Sequence, residues 1–213
     1  MSVSQQHATG RPVIDVSIMY VTHEAFRRDL ARLAAAAAAG AGTAPHIRAG
    51  WENFKHQLHI HHTVEDAELW PRVEAAVAGR PDALALLQDM EAEHARLSPL
   101  LDGVDRALRG PAGELVANVR ELAAGLTDHM KHEEDSALPL IQEVLTPKDW
   151  KAFGTGMVRS QGLKGVFVYI PWVVDGAAAS DRDRLFRALP KPVRPLNGLI
   201  FEPRYRKRGL WAS

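Results

Sequence analysis

The sequence predicts an all-α protein: an up-down-up-down four-helix bundle over residues 13–145, with an irregular, aromatic-rich C-terminal extension over residues 146–213 packed on it. Three observations predict it. Apolar residues recur at steps of three and four through four long stretches, which is the helical period. Glycine or proline closes each stretch. The stretches also repeat one another. Adding 68 to Ile47, Trp51, Phe54, Leu58, His61, Glu65 and Leu69 gives Leu115, Val119, Leu122, Leu126, His129, Glu133 and Ala137, and Pro71 maps onto Pro139. A shift of 71 carries Met19, His23, Phe26 and Leu30 onto Met90, His94, Leu97 and Leu101. The chain therefore reads as two similar helical hairpins.

Residues 1–12 are polar and expected to fray. A first helix is expected from Val13 to Ala39, with the stripe Val16, Met19, His23, Phe26, Leu30 and Leu33; its alanine run is strongly helix-forming and stops at Gly40. The second runs from His46 to Ala78, with a bend at Pro71. Pro81 and Asp82 open the third, whose seam is Leu84, Leu87, Met90, His94, Leu97, Leu101, Val104 and Leu108. The fourth runs from Glu114 to Leu145.

The seams carry chemistry as well as packing. The second is apolar until it reaches His61 and Glu65, and the fourth until His129 and Glu133. A His-x-x-x-Glu pair on a helix is usually a solvated pair. Here both copies fall on the buried stripe, where a carboxylate without a positive partner is costly. Taking turns near residues 43, 80 and 111, His23, His61, His94 and His129 fall within about two helical turns, roughly 10 Å. Four inward histidines and two inward glutamates in one layer are how bundles build metal sites, and imidazole with carboxylate suits divalent transition metals.

Composition narrows the chemistry. There is no cysteine, which excludes disulfides, thiolate zinc sites, iron–sulfur clusters and covalent c-type haem. No apolar run approaches the roughly 18 residues that span a bilayer. With no secretory signal at the N-terminus, the expected compartment is cytoplasmic. The formal charge of zero hides a split: residues 1–146 carry 13 Lys+Arg against 21 Asp+Glu, and residues 147–213 carry 13 against 5. A basic tail can bind nucleic acid, but docking on its own acidic bundle is the preferred reading.

The motifs resemble the hemerythrin family in its bacterial His-His-Glu (HHE) cation-binding form. The matching pieces are His23, His61-x-x-x-Glu65-Asp66-x-x-Leu69-Trp70-Pro71, His94, and His129-x-x-x-Glu133-Glu134 ending at Pro139. The resemblance implies a non-haem diiron centre, two Fe ions bridged by oxo, hydroxo or carboxylate groups, with manganese fitting the same ligands. The expected metal-ligating residues are His23, His61, His62, Glu65, His94, His129, Glu133 and Glu134. Whether Glu133 or Glu134 bridges, and whether His62 ligates, stays open. Met90 stands where the oxygen-carrying members have a further histidine. That loss argues against reversible carriage and towards redox chemistry or sensing, and the preferred expectation is a redox enzyme acting on dioxygen, peroxide or nitric oxide, by peroxide decomposition or dioxygen-dependent oxidation of an organic substrate. The alternative is a non-catalytic protein that binds or senses oxygen, iron or nitric oxide. Tyr20, next to the seam, is a candidate for a hydrogen bond to bound oxygen.

Residues 147–213 hold nine of the fourteen aromatic side chains, too many for a disordered tail. Thr146-Pro147 is expected to open a short helix, Ser180-Asp181 another to Leu189, and Pro190, Pro192 and Pro195 to favour extended chain. The extension is expected to fold over the bundle, capping the site or forming a homodimer contact.

Overall fold

The computed structural model describes residues 14–110 and 112–211, which leaves the expected fraying of residues 1–12 and the helix start at Val13 outside the described residues. The first helix, α1, is Ser17–Ala38. The second stretch is α2 (Pro45–Val64), a π turn (Glu65–Leu69) and α3 (Trp70–Ala76). The third is α4 (Pro81–Ala107), unbroken. The fourth is α5 (Ala112–His132), a second π turn (Glu133–Ala137) and α6 (Leu138–Val144). α1 packs on α2 and α5, and α5 on α4, so the four stretches close a bundle.

The two π turns carry the repeat into the backbone. In each, one extra residue is accommodated, and the amide of Trp70 or Leu138 donates to the carbonyl of Glu65 or Glu133 five residues back. The cause is the proline that follows: Pro71 and Pro139 have no N–H to give an α-helix and their rings would collide with the carbonyl four residues earlier. Widening the turn relieves that clash without ending the helix. The expected bend at Pro71 is thus a register change, and it begins at the seam glutamate.

Two apolar clusters fill the bundle. One holds Phe26, Leu30, Trp51, Phe54, Val119, Leu122 and Leu126. The other holds Met19, Leu69, Val73, Met90, Leu138 and Ile141. Between them lies a layer of buried histidine and glutamate: His23, His61, His94, His129, Glu65 and Glu133.

The extension is helical, which corrects the expectation of irregular chain. α7 (Pro147–Val174) opens with a capping box between Thr146 and Asp149 and is far longer than the short helix expected. Gly162 (φ 65°, ψ 168°) divides it, while Pro171 is absorbed. α8 is Ala179–Ala188. The proline-rich stretch forms single turns, α9 (Val193–Leu196), a third π turn (Asn197–Phe201) and α10 (Glu202–Arg206), rather than extended chain. Proline is tolerated in a first helical turn, whose N–H groups have no partner anyway.

α7 packs against α1, α2 and the first π turn. At Gly156 an added Cβ would meet Val64 at 3.2 Å and Glu68 at 3.1 Å, so glycine lets the two helices approach closely beside Glu65. Further on, fully buried Trp172 packs on Phe26 (ring centroids 5.2 Å) and donates its indole N–H to buried Asp29 at 2.8 Å. Arg28 donates to the carbonyl of Trp172 at 3.0 Å, and Arg32 pairs with Asp175 at 2.8 Å. The extension thus adheres by apolar burial together with polar contacts across the seam, Arg159 with Glu68 among them. Several of its arginines pair within it, as in Arg182 with Glu202 and Arg194 with Asp183. Among the described residues, no helix is long and apolar enough to cross a membrane.

Candidate metal centre

Helical spacing brings the polar layer together. His61 and His62 are neighbours on α2, so their side chains leave it about 100° apart and reach different partners. Glu65 lies four residues after one and three after the other, near both. The result is two groups of potential ligand atoms, His23 with His61 and Glu133, and His62 with His94 and His129; within each group these atoms lie within 4.8 Å of one another. Glu65 sits between them, 3.0 Å from His61 Nε2 and 3.7 Å from His94 Nε2. Glu133 is 3.1 Å from His23 Nε2. Under the internal repeat, His23, His61 and Glu133 correspond to His94, His129 and Glu65. Each hairpin thus lends its glutamate to the other hairpin's histidine. His62 breaks this pseudo-twofold pattern, because its counterpart Met130 is a buried packing residue. His62 is half-buried and stacks on His94 with ring centroids 3.9 Å apart.

Outside the layer, carboxylates fix the imidazoles. The Nδ1–H of His23 donates to Glu134 at 2.8 Å, that of His94 to Asp66 at 2.8 Å, and that of His129 to Glu93 at 2.9 Å. Holding the proton on Nδ1 leaves the Nε2 lone pair aimed inward, the tautomer a metal needs. Glu134 is also gripped by both terminal nitrogens of Arg27 at 2.9 Å. The structure therefore does not bring Glu134 into either group: it orients His23 from outside, because residue 134 lies one step further round the helix than Glu133. Tyr20 is directed away as well, its hydroxyl 3.5 Å from the Glu134 carbonyl. Glu93 is the residue the sequence did not disclose. It also accepts from half-buried His132 at 2.9 Å, and it lies off the seam with no periodicity to mark it. Glu93→Ala is expected to free His129 and lower metal affinity by about 10–100-fold, measured by competition with a chelator.

The electrostatics of the layer favour a cation. Both carboxylate oxygens of Glu65 and of Glu133, and the Nε2 atoms of His94 and His129, are buried without a hydrogen-bond partner. So many orphaned groups in one place are expensive unless an ion meets them. Burial, then the nearby Glu133 and Asp66 carboxylates, push Glu65 well above the usual carboxyl range. Burial opposes charge on Glu133 too, but the His23 imidazolium prevails and pulls it down to about 2. His23 is correspondingly raised to about 9 by Glu133 and Glu134 against the cost of burial. Burial and then neighbouring imidazoles hold His61 and His62 well below their ordinary value, so both are neutral bases.

The family model for the hemerythrin HHE cation binding domain matches residues 15–141. The chain belongs to the hemerythrin family. The match covers the bundle and stops before α7, so the hemerythrin signature accounts for the polar layer and leaves the extension outside it. No curated protein and no solved structure matches the chain. A cation-binding family and a buried cluster of unsatisfied histidine and glutamate agree on what this hemerythrin layer is for. A cavity of about 360 Å³ between α2 and α4 reaches it, lined by His62, Thr63, Asp66, Glu91, His94 and Ser98 among others.

Proposed function

We propose that this hemerythrin-family protein holds two iron ions and reacts with dioxygen, peroxide or nitric oxide as a redox enzyme. His23, His61 and Glu133 would hold one ion, His62, His94 and His129 the other, and Glu65 would serve both. The observation that carries the reading is Glu65, a buried carboxylate within reach of both groups whose two oxygens have no hydrogen-bond donor. Bound iron supplies open coordination positions and one-electron redox capacity. The chain's own contribution is to aim the Nε2 atoms through Glu134, Asp66 and Glu93, and to hold the layer between two apolar clusters. Met90, fully buried, offers no nitrogen where His94 would otherwise have a companion. The cavity at His62 and His94 gives a small reactant a way in.

Metal analysis of the protein as isolated is expected to give two iron ions per chain; one ion, or none, sinks the dinuclear reading. Iron-loaded protein mixed with peroxide is expected to evolve oxygen. Stable oxygen or nitric oxide adducts without consumption would instead favour a sensing protein.

Loading is expected to be pH-dependent. In the metal-free protein burial raises the Glu65 carboxyl well above its ordinary range and Glu133 with Glu134 raises His23, so metal competes with protons at the layer. Affinity should therefore rise with pH until it levels near the His23 value of about 9. Acid release in weakly buffered solution during loading measures it.

A further inference from the structure

On another face of α2 from the α4 cavity, a second cavity of about 560 Å³ opens between α2 and the latter half of α7. Three amides line it. Asn53, Gln57 and Gln161 are 5%, 2% and 9% exposed. Gln161 Nε2 donates to Gln57 Oε1 at 2.6 Å, and Arg208 donates to Asn53 Oδ1 at 3.4 Å. That leaves Asn53 Nδ2 and Gln57 Nε2 as donors, and Gln161 Oε1 as an acceptor, without partners. Helix positions 53 and 57 face a packed neighbour, where apolar residues would be cheaper than unsatisfied amides.

The break at Gly162 gives this cavity a second property. The helix restarts there, so the N-terminal turn of residues 163–174 lies at the cavity, with Lys164 and Gly165 on its lining. The first N–H groups of a restarted helix have no intrahelical acceptor and attract anions. Lys164 and Arg208 add two exposed cations to the rim. The one carboxylate there, Glu52, is paired with Lys55 at 3.0 Å. Spare amide donors, a helix start and two cations converge with one buried, spare amide acceptor, Gln161 Oε1.

We propose that this cavity binds a phosphate group. Phosphate accepts from the amides, the helix start, Lys164 and Arg208, and near neutral pH it keeps an O–H to donate to Gln161 Oε1. Sulfate has the acceptors and lacks the donor. The site is independent of the iron reading, although Gln57 lies one helical turn before His61.

The test is titration of metal-loaded full-length protein with inorganic phosphate, with sulfate and with glycerol phosphate at constant ionic strength, followed by calorimetry and by the optical spectrum. Saturable one-to-one phosphate binding is expected, with the spectrum unchanged, sulfate several-fold weaker, and affinity at least about tenfold lower in the K164A/R208A double variant. Both substituted residues are exposed, so the fold stays intact. Tighter binding of the ester would identify a phosphorylated metabolite as the ligand, and tighter binding of inorganic phosphate the free ion. Absence of saturation, sulfate binding as tight as phosphate, or affinity unaffected by the double variant would overturn the proposal. Phosphate that merely coordinated iron would alter the spectrum and ignore Lys164 and Arg208.

Discussion

Replacing Glu65 by alanine is expected to abolish binding at both groups while leaving a folded protein. Its oxygens lie 3.0 Å from His61 Nε2 and 3.7 Å from His94 Nε2, so one substitution removes the carboxylate each cation would share. Replacing an oriented supporting residue costs about 10–100-fold in metal affinity, and losing a shared ligand should exceed that on both ions. The fold has little to lose. Burial holds the Glu65 carboxyl well above its ordinary range, and a buried carboxyl without a cation strains its surroundings. Metal content below one ion per chain, with a metal-free melting temperature equal to or above wild type, is the expected pair of measurements. Glu134→Ala is the contrast: His23 loses its anchor, so affinity falls at one ion and the count stays at two under metal excess. Two ions retained in Glu65→Ala would refute the assignment of roles.

The second large effect concerns the extension. A chain ending at residue 146 is expected to aggregate, because the bundle face under α7 includes Phe26 and Val64, which the extension covers. A single substitution isolates the main contact. Trp172 is fully buried, and truncating it to alanine should cost about 3–5 kcal/mol in packing. Asp29 would also lose its indole donor, adding about 1–3 kcal/mol. Against a total of about 5–15 kcal/mol for a typical domain, Trp172→Ala should unfold at much lower denaturant. Trp172→Phe keeps most of the packing and should show mainly the Asp29 share. Chemical unfolding followed by circular dichroism measures all three chains. A truncated bundle that stays monomeric and melts like the full chain would contradict this account.

The bundle and most of the site were legible because they rest on period. His23, His61, Glu65, His94, His129 and Glu133 stand at seam positions, and a seam residue can point only inward. The resemblance added His62, whose partners lie on other helices, and Glu134, whose inward placement one step of helix rotation forbids. Glu93 could not be found. It is half-buried on α4 and acts by reaching across to α5, a contact with no sequence spacing to betray it. The π turns were half-visible. Pro71 and Pro139 stood out, and each follows the first residue of its turn by six places, as Pro203 follows Asn197. That offset reads as a kink until the backbone is seen to widen. In the extension, prolines suggested open chain because the residue before a proline avoids helical geometry; burial of Phe201 and Tyr205 against the rest of the molecule favoured compact turns instead.

The layer of histidine and glutamate leaves the hydrophobic interior in two separate lobes, above and below it. Cooperativity between lobes must then pass through whatever occupies the waist. With cations there, four helices are riveted at mid-height and the lobes should melt in one step. Stripped by a chelator, the same chain should soften lobe by lobe, visible as a broadened or split calorimetric transition. The protein's resistance to unfolding, and hence its persistence against proteases, would rise and fall with the supply of its metal.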